Sequence, residues 1–184
     1  MKHFFLTCLP RSRSAHFSAL LTHGKTFCFH DAFDGLETFD DFIELMNFGE
    51  GGFDTVGVSD PALLYFWPKV HAAFPDAKWV VVERAEYDVY QSLKKFNVGM
   101  EAVVDAKRRL IELTAKLNPL VVNFDEINPS TVNRIATYLD IDVGHPERVA
   151  QLCKMNIQIE HNYMRERITH NVANPSQLLK EIAA

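Results

Sequence analysis

Five short, nearly continuous apolar runs, each followed by a segment with helical spacing, govern what this chain can fold into. The runs are "HFFLTC" from His3 to Cys8, "KTFCFH", "DTVGV", "AKWVVVE" and "PLVVNF". Runs so short and so lacking in polar alternation suit strands buried on both faces. "AKWVVVE" is the clearest, because β-branched side chains fit a pleated surface. Between the runs, apolar spacing predicts helices over Ser14 to Thr22, Glu37 to Phe48, Asp88 to Phe96, Glu101 to Leu117 and Ser130 to Leu139. A further helix is predicted across "ALLYFWPKVHAAF", where Pro68 should kink or split it. Ser130 is placed to cap the helix it opens. Strands alternating with helices require parallel crossovers. The predicted class is α/β, with a mostly parallel central sheet of about five strands in a three-layer α/β/α arrangement. Sheets of this kind bind ligands at the carboxyl ends of their strands.

A chain of 184 residues, 47% of them hydrophobic, can fill one core, so a single domain over 1–184 is expected. Its core spans 3–140, and a polar, partly helical extension follows over 145–184. A net charge of −5 argues against a nucleic-acid binder. Cys8, Cys28 and Cys153 form no CxxC pair and read as reduced thiols. His30 lies two residues from Cys28, but no further zinc ligands are visible at a suitable spacing, so no metal is expected. The apolar run from Phe4 to Leu9, broken by Pro10 and Arg11, is shorter than the roughly 7–15 residues of a secretion signal. No window approaches the roughly 20 apolar residues of a membrane span. A soluble, cytoplasmic protein with no membrane partner is the expectation.

The first strand leads into "LPRSRSAHF". A loop entering a helix leaves the first-turn N–H groups without intrahelical partners, and the helix dipole makes that end positive. Ser12 and Ser14 add hydroxyl donors, while Arg11 and Arg13 add charged forks suited to phosphate or sulfate oxygens. These residue types in this order suit a polyanion cradle. An ordinary turn capped by Ser14 would explain the serine but not the arginines. Nearby "GKT", Gly24 to Thr26, matches the end of a Walker A pattern, G-x-x-x-x-G-K-[ST]. Its first-glycine position is Ala19, and the triplet precedes a strand where it should open a helix. Gly24 is better read as ending the first helix.

"LPRSRSAHFSALL" resembles the 5′-phosphosulfate loop of sulfotransferases, usually P-[KR]-[ST]-G-[ST]-x-x, which use 3′-phosphoadenosine-5′-phosphosulfate (PAPS). Arg13 stands where that family usually has glycine, and its side chain either narrows the loop or adds a cation to the phosphates. "WVVVERAEYDVYQSL" is similar to the family's second cofactor element, "RxPxDxxxS": Arg84 ends a strand, Ser92 follows eight residues later, and Glu86 replaces the proline. "VGVSDPALL" and "LVVNFDEINPSTVNRIATYLDI" are similar to the ends of the family's third and fifth strands, with Phe124 where a tyrosine is usual. No basic, glycine-containing loop near the C-terminus is evident; Arg165 and Arg167 are candidates to replace it.

The resemblance implies a P-loop NTPase-like fold and transfer of a sulfuryl group from PAPS to a hydroxyl or amine of a small-molecule acceptor. It implies that the loop N–H groups, with Arg11, Ser12, Arg13, Ser14, Ala15 and His16, hold the 5′-phosphosulfate, and that Arg84 and Ser92 hold the 3′-phosphate. Arg11 would also stabilise the bridging oxygen. His30, at the end of the second run, is the first candidate for the base, since an imidazole titrates near ~6.5. Asp31 beside it and Asp60 after the third run are the others. Three alternatives stay open: a nucleotide-binding protein of the same fold without turnover, a P-loop kinase-like phosphotransferase, and an interaction protein. The acceptor is not legible, and a homodimer stays open.

Overall fold

The computed structural model describes residues 1–48, 52–155, 176–178 and 180. The five apolar runs form β1 (Lys2–Cys8), β2 (Thr26–His30), β3 (Thr55–Ser59), β4 (Lys78–Glu83) and β5 (Leu120–Asn123). The helices are α1 (Ser14–Leu21), α2 (Phe39–Asn47), α3 (Leu63–Ala73), α4 (Glu86–Leu93), α5 (Met100–Leu117), α6 (Pro129–Leu139) and α7 (Pro146–Lys154). Of the C-terminal extension, α7 is helical as expected. Arg165 and Arg167 lie outside the described residues.

All four strand pairings are parallel, in the order β2-β3-β1-β4-β5. β1 is therefore central, with Phe5 opposite Val58 on one side and Trp79 on the other. Side chains alternate across a strand, and the two faces bury separate clusters. Phe5, Val56, Val58 and Val81 pack beneath α2, α3, α4 and α5. Phe4, Leu6, Cys8 and Val80 pack beneath α1, α6 and α7. The three-layer α/β/α arrangement follows from this alternation.

Gly57 in β3 sits opposite Phe4, and a Cβ there would lie 2.2 Å from the Phe4 ring. The missing side chain makes room for the ring.

Three sequence expectations need correction. Of the two outcomes expected at Pro68, a kink or a split, the split does not occur: α3 runs unbroken from Leu63 to Ala73. Leu63, Leu64, Phe66 and Val70 anchor the helix to the core while Pro68 faces solvent. Ser130 is not the cap of α6: Asn128 Oδ1 accepts from the Thr131 N–H at 3.1 Å, and Pro129 takes the first helical position. Proline has no N–H to satisfy there, so the helix starts a residue earlier. Gly24 does not end α1, which stops at Leu21; it turns the chain between His23 and Thr26 with φ of +54°.

Candidate functional site

The neighbouring positions of β1, β3 and β4 bring three sequence-distant loops to one edge of the sheet. The β1–α1 loop is the tightest. Arg11 and Arg13 both have left-handed backbones, with φ of +66° and +67°. Arg13 is the N-cap of α1, without a side-chain capping bond. A side chain in this conformation costs about 1 kcal/mol relative to glycine. The turn that the family builds with glycine is thus made here by an arginine. The first helical bond runs from the Phe17 N–H to the Arg13 carbonyl at 3.0 Å. Ser14, Ala15 and His16 occupy the first turn, where N–H groups lack intrahelical acceptors. Ala15 can contribute only its backbone.

Two groups of side chains surround this turn. In the first, Arg84 donates to the Arg11 carbonyl, and Arg11 Nε donates to Ser92 Oγ at 3.4 Å. The Arg84 guanidinium lies 4.2 Å from the centre of the Phe124 ring and Arg13 lies 5.1 Å from it; Arg11 stacks 5.8 Å from Phe96. The two signatures read from the sequence therefore meet: Arg11, Arg13, Arg84 and Ser92 form one cluster. Burial lowers the Arg84 pKa from its usual value, opposed by Asp88 and Asp125 and assisted by the charges of Arg11 and Arg13. Among the described residues, none of these three arginines has a carboxylate within ion-pair distance.

In the second group, Ser14 Oγ lies 3.1 Å from His30 Nε2, and the same nitrogen is 3.1 Å from Asp31 Oδ1. Asp31 has φ of +50°. Ser59 Oγ donates to the Ser14 carbonyl at 2.9 Å, fixing the start of α1 against β3. Asp60 is buried and differs in character from the other two base candidates. Its Oδ1 accepts from the Ala62 N–H at 2.7 Å and its Oδ2 from the Phe33 N–H at 3.2 Å. It ties the loop after β2 to the entry of α3.

Three polar atoms at this edge are buried without a protein partner: Ser12 Oγ, His16 Nε2 and Arg84 Nε. Burial, reinforced by the charge of Arg13, lowers the His16 pKa. Buried polar groups are nearly always hydrogen-bonded, so their concentration beside three guanidiniums without an ion-pair partner among the described residues fits an anionic ligand that supplies the acceptors. Among the described residues no cluster of three or more metal-ligating side chains occurs. The described helices include none long and apolar enough to cross a membrane.

Sequence reasoning missed Ser59, the stacking role of Phe124, and Arg148. From α7, Arg148 donates to the Ala19, Leu20 and Thr22 carbonyls at 3.0, 3.2 and 2.8 Å, closing the C-terminal end of α1. Ser59 could have been found from its place at a strand tip; the other two carried no local signal.

A parallel α/β sheet with an arginine cluster at the tip of its central strands defines the class, and the comparisons narrow it. A family model described as "Sulfotransferase domain" matches residues 14–170. The chain belongs to the sulfotransferase domain family. No curated protein matches the sequence. Its fold is similar to that of a sulfotransferase from Alicyclobacillus acidocaldarius, at 14% identity and a TM-score of 0.61, covering 100% of this chain and 96% of that one. It is equally similar to mouse sulfotransferase SULT7A1, a structure complexed with PAP, at 14% identity and a TM-score of 0.61, covering 98% of this chain and 82% of that one.

Proposed function

We propose that this protein transfers the sulfuryl group of PAPS to a hydroxyl or amine of a small acceptor. The observation that carries the reading is the meeting of the two signatures, with Arg84 and Ser92 both in contact with Arg11. PAPS bears charge at both ends of its adenosine, and this edge offers cations and unpartnered donors for both. The first-turn N–H groups, Ser12, Ser14 and His16 hold the 5′-phosphosulfate, while Arg84 and Ser92 hold the 3′-phosphate.

The acceptor oxygen or nitrogen attacks sulfur as the bond from sulfur to the bridging phosphate oxygen breaks. The electron pair of that bond passes to the bridging oxygen, where Arg11 stabilises the growing charge once the bound nucleotide replaces its 3.4 Å contact with Ser92 Oγ. The acceptor proton passes to the imidazole of His30, whose ring is held in place by Ser14 Oγ and Asp31 Oδ1, each 3.1 Å from Nε2. Sulfated acceptor and adenosine 3′,5′-bisphosphate leave. Positioning and charge stabilisation supply most of the rate enhancement, as in phosphoryl transfer. Asp60 holds the loop through its contacts to the Ala62 and Phe33 N–H groups.

Incubation of the protein with sulfur-labelled PAPS and a metabolite extract, followed by mass spectrometry, tests the reading. A labelled product that disappears with Arg11→Ala is expected. Binding of PAPS without any labelled product would leave the nucleotide site standing and overturn transfer.

A further inference from the structure

The glycine-to-arginine departure at position 13 leads to a different part of the site from its place in the loop. Arg13 leaves the backbone at the first turn of α1, among the groups assigned to the 5′ end. Its guanidinium, however, lies over the Phe124 ring at the end of β5, the same ring that Arg84 covers. Phe124 begins a short 3₁₀ turn after β5, and β5 pairs with β4, the strand that Arg84 directly follows. The sheet therefore brings two guanidiniums, 71 residues apart in sequence, to one aromatic ring, and the charge of Arg13 acts on Arg84.

Two cations on one ring repel each other, and an aromatic face attracts each only weakly. Among the described residues no carboxylate lies within ion-pair distance of either. Arg84 Nε is buried and unpartnered. Asp88 and Asp125 offset part of this charge at longer range, and the two guanidiniums with the unpartnered Nε suit a ligand group of high negative charge. A phosphate monoester has close to two negative charges at neutral pH, and a ribose hydroxyl has none. Resting on the nucleotide reading above, we propose that Arg13 is a second phosphate-binding group of the 3′ subsite, and that Phe124 is the positioning residue holding both guanidiniums there. The usual glycine leaves this function out; here the loop reaches across to read the far end of the nucleotide.

Calorimetric titration with adenosine 3′,5′-bisphosphate and with adenosine 5′-monophosphate tests the assignment. Arg13→Gly suits the left-handed backbone, so the fold is kept. It is expected to weaken the bisphosphate by about tenfold, the loss of roughly one charged hydrogen bond, and to leave the monophosphate unchanged. Phe124→Leu should weaken the bisphosphate selectively, and Phe124→Tyr should restore it. Equal weakening of both nucleotides by Arg13→Gly would move Arg13 to the 5′ end and overturn the proposal. So would an unchanged preference for the bisphosphate in Arg13→Gly when Arg84→Ala abolishes it. A wild-type protein with no preference for the bisphosphate would instead overturn the nucleotide reading, and this inference with it.

Discussion

His16 and His3 each have a buried ring nitrogen without a partner, and burial is the main reason that both pKa values are lowered. A folded-state pKa below the unfolded value near ~6.5 means that the unfolded chain takes up the proton first. Stability contributed by the two neutral rings is therefore full above about pH 6.5, and it is lost as pH falls towards and through the folded values. Denaturant titrations from pH 7.5 down to about pH 5 should show falling stability, and His3→Phe with His16→Gln should flatten that dependence. At the reacting centre, His30→Ala is expected to slow transfer by about 100-fold while leaving nucleotide affinity within about twofold, separable by kinetics and calorimetry. Asp60→Asn should act through the loop instead, lowering thermal stability, because the amide keeps one oxygen acceptor and turns an NH2 donor towards the other backbone N–H.

At the scale of elements, α1 is secured at both ends. Its N-terminal turn is tied to β3 by Ser59, and its C-terminal carbonyls are closed by Arg148 from α7. Arg148→Ala is expected to cost about 2 kcal/mol in urea unfolding, the scale of a charged hydrogen-bond cluster that is part-buried. Gly57→Ala should cost about 3 kcal/mol by the same measurement, since a new methyl meets the buried Phe4 ring at 2.2 Å.

The elements themselves were legible because their signals are local. Apolar runs marked all five strands, and each anion element lies in one strand–loop–helix unit. What links the elements was not legible. Arg13 and Phe124 are far apart in sequence, and only the order β2-β3-β1-β4-β5 brings them together. In the sequence Phe124 shows only as a replacement for the usual tyrosine, whereas its ring carries two guanidiniums. Pro68 and Ser130 misled for a related reason: the packing of α3 and the neighbouring Asn128–Pro129 pair outweigh single-residue rules.

On the scale of the whole molecule, a chain with a net charge of −5 concentrates three arginines at the tip of its central strands. The surrounding negative charge would repel anions generally, so a ligand must gain enough from that one edge to overcome the field. Binding should therefore weaken as salt screens the cluster, more steeply for a doubly phosphorylated nucleotide than for a singly phosphorylated one. The most direct measurement is a pair of calorimetric titrations of the purified protein, one with adenosine 3′,5′-bisphosphate and one with ATP and magnesium. The expected result is saturable binding of the bisphosphate, abolished by Arg84→Ala, with no comparable heat from ATP. Tighter binding of ATP, or bisphosphate binding indifferent to Arg84, would contradict the account.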